Sequence, residues 1–116
     1  MDLHDDELRV FMCHVGSRTQ LEVGGEVDMA TADQIADRLD MVADVGGGDV
    51  DIDMSLVTFC DSTGLKVLLD AHERFSAAGR QLRIARASDQ VLRLLHVTGT
   101  HCVLMPGTDG LIGSAE

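Results

Sequence analysis

The chain has 116 residues, 45% of them hydrophobic and 25% charged, which is the length of one ordinary domain with enough apolar side chains to build a core. Nine Lys and Arg stand against 20 Asp and Glu, a net charge of −11 that repels nucleic-acid phosphates and anionic membrane surfaces. Apolar runs such as Val10–Cys13 and Val67–Leu69 fall far short of the ~20 residues of a membrane span, and Met1 to Glu7 has no leader character, so a single cytoplasmic domain over residues 1–116 is expected.

Leu8–Val15 and Thr19–Val23 are β-type segments separated by Gly16-Ser17-Arg18, and the pair predicts a hairpin. After Gly24-Gly25-Glu26-Val27-Asp28, apolar residues at Ala32, Ile35, Ala36, Leu39 and Val42 or Ala43 follow helical spacing until Gly46-Gly47-Gly48 stops it. Val50–Met54 alternates with period two and is expected as a strand in spite of its two aspartates. Beyond Asp61-Ser62-Thr63-Gly64 a second helix turns Leu65, Leu68, Leu69, His72 and Phe75 to one side, and ends before Gly79. Leu82–Ala85 is a further strand. Ser88-Asp89-Gln90 caps a third helix with Val91, Leu94 and Leu95 inward and Gly99 at its close. Cys102–Met105 reads as a last short strand before Pro106, and residues 107–116 as a flexible tail.

The order β-β-α-β-α-β-α-β predicts an α/β fold: a mixed, mostly parallel sheet with an amino-terminal β-hairpin at one edge and helices packed against it. Partners of such sheets are met outside the carboxyl ends of the strands, which singles out the loops Gly24–Thr31 and Leu56–Gly64. Residues 1–61 hold 15 acidic and 3 basic side chains and residues 62–116 hold 5 and 6, so one acidic face either keeps the protein soluble or docks a basic partner.

Asp61-Ser62-Thr63-Gly64 falls at a helix start, where unpaired backbone N–H groups and the positive end of the dipole would stabilise a phosphate on Ser62. The plainer reading makes Ser62 or Thr63 a helix N-cap and Gly64 a permissive first-turn residue. No nucleotide-binding glycine loop is present, so any kinase must be another chain. His14 beside Cys13 and His101 beside Cys102 do not pair as metal ligands, because adjacent strand residues point to opposite faces. A hydrolase built on Ser62 and His72 is excluded by the helical rise of ~15 Å between them and the missing Gly-x-Ser-x-Gly. Cys13, Cys60 and Cys102 read as reduced thiols, with Cys60 and Cys102 at opposite ends of the sheet and unbridged. Met12, Met41, Met54 and Met105 read as core fillers, whereas Met29, after Asp28, offers a partner an adaptable apolar contact.

The run Asp53-Met54-Ser55-Leu56-Val57-Thr58-Phe59-Cys60-Asp61-Ser62-Thr63-Gly64-Leu65, with Gly25-Glu26-Val27-Asp28 before Thr31 and Ala32, resembles STAS domains of the bacterial anti-sigma-factor-antagonist family. The resemblance covers nearly the whole chain in element order. It implies a binding module with no catalysis or cofactor of its own, acting in transcription regulation and stress response by partner switching. Such a module binds an anti-sigma factor that is also a Ser/Thr kinase and frees the sigma factor. It is inactivated when that kinase phosphorylates the motif serine, and a phosphatase restores it. Carried over, Ser62 is the acceptor, Thr63 the second hydroxyl, Gly64 the residue that lets the partner approach, and Asp28 and Asp61 the acidic flanks of the docking surface. Cys60 stands where the family usually has an apolar residue such as Met. Its thiol, at a helix N-terminus, is either a small packed hydrophobe or a group of lowered pKa that oxidises. The second possibility defines an alternative, a ligand- or redox-sensing STAS module controlled at Cys60.

Overall fold

Gly16, at φ +64°, turns the chain back on itself and sets the first pairing of the sheet, a tight connection that a side chain with a Cβ adopts only under strain. In the computed structural model, which describes residues 7–45 and 48–106, β1 (Arg9–Val15) and β2 (Arg18–Val27) form this antiparallel hairpin. The chain continues through α1 (Ala32–Val45), β3 (Val50–Cys60), α2 (Ser62–Ala77), β4 (Leu82–Ala87), α3 (Asp89–Thr98) and α4 (His101–Leu104). The four strands lie in the order β1-β2-β3-β4, with β3 parallel to β2 and β4 parallel to β3. This is the expected α/β architecture, with the hairpin strand antiparallel at one edge. Gly46, Gly47 and residues 107–116, the expected helix stop and tail, lie outside the described residues.

Alternation along the strands sends Leu21, Val23, Ile52, Met54, Leu82 and Ile84 into one core with Ile35 and Leu39 of α1, Leu65, Leu68 and Phe75 of α2, and Val91 and Leu95 of α3. His72 is half-buried at the margin of α2. The two aspartates of β3 sit on the opposite, polar side. Asp51 accepts hydrogen bonds from Arg18 (3.0 Å) and Arg83 (2.9 Å), one from each neighbouring strand, so cross-strand ion pairs offset its poor strand propensity. Arg80 closes the far end of α1 by donating to the carbonyls of Val42 and Ala43 while its guanidinium lies 4.5 Å from the centre of the Phe75 ring.

Three expectations change. First, β2 continues to Val27 and β3 to Cys60, so most of Gly24–Val27 and Leu56–Cys60, expected as loop, is paired strand. Register shifts between Glu22 and Gly24 and between Gly25 and Glu26 break the period-two pattern, and Gly25 takes φ +94° there, which is why alternation ceases to be visible before pairing does. Second, Cys102–Met105 is not a strand. Gly99 turns the chain at φ +74°, and the buried residues His101, Leu104 and Met105 are spaced i, i+3, i+4, so the segment wraps as one helical turn under the core. The topological ground for separating Cys60 from Cys102 goes with that strand; no disulfide joins any of the three cysteines, Cys60 being buried and Cys13 and Cys102 exposed. Third, of the methionines expected inside, Met54 and Met105 are buried and Met12 is partly buried, but Met41 is exposed on α1.

Candidate functional site at the carboxyl end of the sheet

The extension of β2 and β3 builds the site. Val27 pairs with Cys60, and the Asp61 N–H donates to the Val27 carbonyl at 3.1 Å, so the next residues out, Asp28 and Asp61, leave adjacent strands side by side. Each aspartate then starts a helix. The Asp28 carboxylate accepts from the Ala30 N–H (2.9 Å) and the Thr31 hydroxyl (3.3 Å), and its carbonyl accepts from the N–H groups of Thr31 and Ala32, the turn that opens α1. The Asp61 carboxylate accepts from the N–H groups of Thr63 (3.0 Å) and Gly64 (3.2 Å), making it the N-cap of α2. The cap is therefore Asp61 and neither Ser62 nor Thr63.

Ser62 is the first residue of α2 and is exposed, while Thr63 behind it is half-buried. Among the described residues, no hydrogen bond engages the Ser62 hydroxyl. Met29 projects from the same end of the sheet with 79% of its surface exposed, as expected of it, and Phe59, which sequence reasoning passed over as a loop aromatic, is 43% exposed two residues before the cap. Ser62 thus opens α2 at the end of the sheet that also carries the two carboxylates and the two exposed apolar side chains.

Gly64 has a different role from the one the resemblance implies. It is buried, and a Cβ added to it would lie 2.5 Å from Val27 Cγ1 and 2.9 Å from Cys60 Sγ. Its missing side chain admits the strands beneath the helix, not a partner above it. For Cys60 the structure favours one of the two readings. It is 1% exposed, and burial, aided by the charge of Asp61, pushes its thiol up to about 12. A neutral, enclosed thiol packs as a small hydrophobe, and the helix terminus does not lower its pKa. Gln90, seen in the sequence only as part of a helix start, reaches this site as well: its side-chain oxygen accepts from the Cys60 N–H at 2.8 Å and its nitrogen donates to the Cys60 carbonyl at 3.2 Å. No local pattern in the sequence reports a contact between elements so far apart.

Elsewhere, His14 Nδ1 lies 3.1 Å from the Thr19 hydroxyl and His101 stacks on His96 at 4.3 Å. Among the described residues no group of three or more His, Cys, Asp or Glu is placed to hold a metal ion, and no helix is long and apolar enough to cross a membrane.

A hairpin-started, four-stranded mixed sheet whose carboxyl end carries an aspartate-capped helix with an exposed serine as its first residue defines a small α/β module. The chain belongs to the STAS-domain family: the family model described as "Mlab, STAS domain" matches residues 12–106. The anti-sigma-B factor antagonist of Bacillus subtilis (strain 168) is 30% identical over 80 residues, which covers 69% of this chain and 72% of that protein. The anti-sigma-B factor antagonist of Staphylococcus aureus (strain NCTC 8325) is 29% identical over the same length, 69% of this chain and 74% of that one. In fold, an anti-sigma factor antagonist from Mycobacterium paratuberculosis superposes with a TM-score of 0.79 at 24% identity, covering 87% of this chain and 86% of its own. The anti-sigma factor antagonist SpoIIAA in its unphosphorylated form gives 0.68 at 18% identity (79% and 82%), and Bacillus SpoIIAA in its phosphorylated form gives 0.66 at 16% (79% and 85%).

Proposed function

We propose that this chain is an anti-sigma factor antagonist that docks, by the carboxyl end of its sheet, on an anti-sigma factor with Ser/Thr kinase activity, releases the sigma factor held there, and is switched off by phosphorylation of Ser62. One observation carries the reading: Asp61 supplies the cap of α2 and leaves the Ser62 hydroxyl exposed, with no hydrogen bond to it among the described residues. A phosphate can be added there without removing any interaction the fold needs, and the positive end of the helix favours it. The added charge, about −1.5 to −2, would then stand beside Asp28 and Asp61 on the docking surface and impose a desolvation cost on a surface that Met29 and Phe59 make partly apolar. Docking weakens, and a phosphatase restores it. In this reading Thr63 acts beside the acceptor and Gly64 acts from below, by seating the helix. The protein works as one cytoplasmic domain, without catalysis or cofactor and without binding nucleic acid or membrane. The names of the two antagonist relatives support the class of partner, and the neighbour known with and without phosphate supports the kind of switch. The neutral, buried Cys60 thiol does not favour control by oxidation.

The test is to incubate the purified protein with a candidate anti-sigma factor kinase from the same genome and ATP, measure intact mass, and locate the phosphate by peptide fragmentation, with Ser62→Ala alongside. A single phosphate on Ser62 that abolishes the complex is the expected result. A stable complex with no phosphate on any residue would overturn the Ser62 switch, and absence of a complex before ATP is added would overturn the antagonist reading itself.

A further inference from the structure

The end of β3 is held unequally on its two sides. Toward β2 it is paired to its last residue, Val27 with Cys60; toward β4 the pairing stops at Met54 with Ala87, and residues 55–60 run past the end of that strand. On this open side α3 supplies what β4 does not. The Ser88 N–H donates to the Met54 carbonyl at 3.1 Å, and at the far end of the overhang the Gln90 carboxamide meets both the N–H and the carbonyl of Cys60, reproducing with one side chain the accept-and-donate pattern of a neighbouring strand. The next peptide, the Asp61 N–H, is bound on the other side by Val27, so the backbone directly before Ser62 is gripped from both flanks.

We infer that Gln90 is a positioning residue for Ser62: by clamping Cys60 it fixes the direction in which β3 delivers Asp61 and Ser62, and it ties that direction to the seating of α3. The start of α3 does not itself require Gln90, since Ser88 caps the helix and Val91 and Leu95 anchor it in the core. Holding a glutamine in one rotamer costs side-chain entropy, which two well-formed bonds to a part-buried peptide offset. Their product is a defined junction between β3 and α2. This inference rests on Ser62 being the phosphate acceptor, and the experiment separates the two claims.

Gln90→Met keeps the length of the side chain and removes both bonds, whereas Gln90→Glu keeps an acceptor for the Cys60 N–H and loses the donor. Native-state amide exchange and the rate of Ser62 phosphorylation by the anti-sigma factor kinase that modifies the wild-type protein are measured for all three. In Gln90→Met the Cys60 N–H is expected to exchange about tenfold faster, with Ile52 unchanged, and kcat/KM for phosphorylation to fall about tenfold, with Gln90→Glu between the two. A merely structural role would move exchange throughout β3 and the unfolding midpoint together. Exchange at Cys60 or phosphorylation at Ser62 left at the wild-type rate in Gln90→Met overturns the positioning role. Failure of the wild-type protein to accept phosphate at Ser62 overturns the acceptor reading, and the positioning role with it.

Discussion

Two helices of this protein follow parallel strands and begin beside a serine, yet the two serines do opposite things. At the start of α3, Ser88 is the cap: its hydroxyl accepts from the Val91 N–H at 3.4 Å, and it is half-buried. At the start of α2 the cap is Asp61, and Ser62 sits one position later, exposed. A shift of a single residue relative to the cap thus separates a hydroxyl consumed by folding from one available to chemistry. The α2 start is also tightly built, with Gly64 pressed onto Val27 and Cys60 directly beneath it.

The sharpest way to break this difference is to remove the close seat of α2. Alanine in place of a helical glycine normally gains about 1 kcal/mol, but at Gly64 the new Cβ would stand 2.5 Å from Val27 Cγ1 and 2.9 Å from Cys60 Sγ, both on fully buried residues paired across two strands. Overpacking of this kind costs about 1–3 kcal/mol and outweighs the propensity gain, so Gly64→Ala is expected to lose about 2 kcal/mol in denaturant unfolding. In the double variant with Val27→Ala the two losses should fall short of their sum by about 1 kcal/mol, because the second change makes room for the first. Simple additivity would show that the close approach is not what holds the helix.

Removing the cap comes next. Asp61→Ala leaves the N–H groups of Thr63 and Gly64 without their carboxylate and is expected to cost about 1–2 kcal/mol, more than the loss of the weaker cap at Ser88. Equal losses at the two helix starts would erase the distinction between them.

The thiol beneath α2 gives a third measure of its enclosure. Because burial raises the Cys60 pKa from 9.0 to about 12, the folded state keeps a proton that the unfolded chain releases. The stabilisation is complete below pH 9 and is lost as pH rises toward 12. By pH 10 wild type should have lost about 1 kcal/mol that Cys60→Ala does not lose, read as the difference between their unfolding free energies at pH 8 and pH 10. Parallel slopes in the two proteins would show that the thiol is open to solvent in solution.

How these features appear in the sequence follows from how local each one is. Helical spacing exposes α1, α2 and α3, since every turn repeats the same demand for an apolar residue, and Gly16 and Gly99 mark real turns. The ends of β2 and β3 are hidden by two register shifts, and α4 by a run of four residues too short for its i, i+3, i+4 burial to outweigh an apolar look. At the site, Ser62, Asp28, Asp61 and Met29 are visible as a motif and an exposed apolar neighbour. Gly64 is visible in the same motif but its packing role is not, because that role is defined by a clash it avoids, and Gln90 is hidden because its partner is a peptide on another element. Cys60 is left with two readings by its sequence for a related reason: its place at a helix start suggests a lowered pKa, while the strand packing that raises it and makes the thiol a small hydrophobe is tertiary.

The smallest expected effect decides most about the two serines. Ser88→Ala removes a hydroxyl that caps a helix, and the long 3.4 Å bond places its cost near the lower end of the usual range, about 0.5–1 kcal/mol. Ser62→Ala removes a hydroxyl that caps nothing, from an exposed first-turn position where alanine is at least as good a helix former, so its unfolding free energy should stay within about 0.5 kcal/mol of wild type. Chemical denaturation of the two variants under one set of conditions makes the comparison. If the order were reversed, the Ser62 hydroxyl would be holding the helix in solution, a phosphate on it would have to break that hold, and modification would act by loosening α2. If the order stands, the serine can change its charge while the fold beneath it stays the same, and its effect must be exerted on whatever docks there.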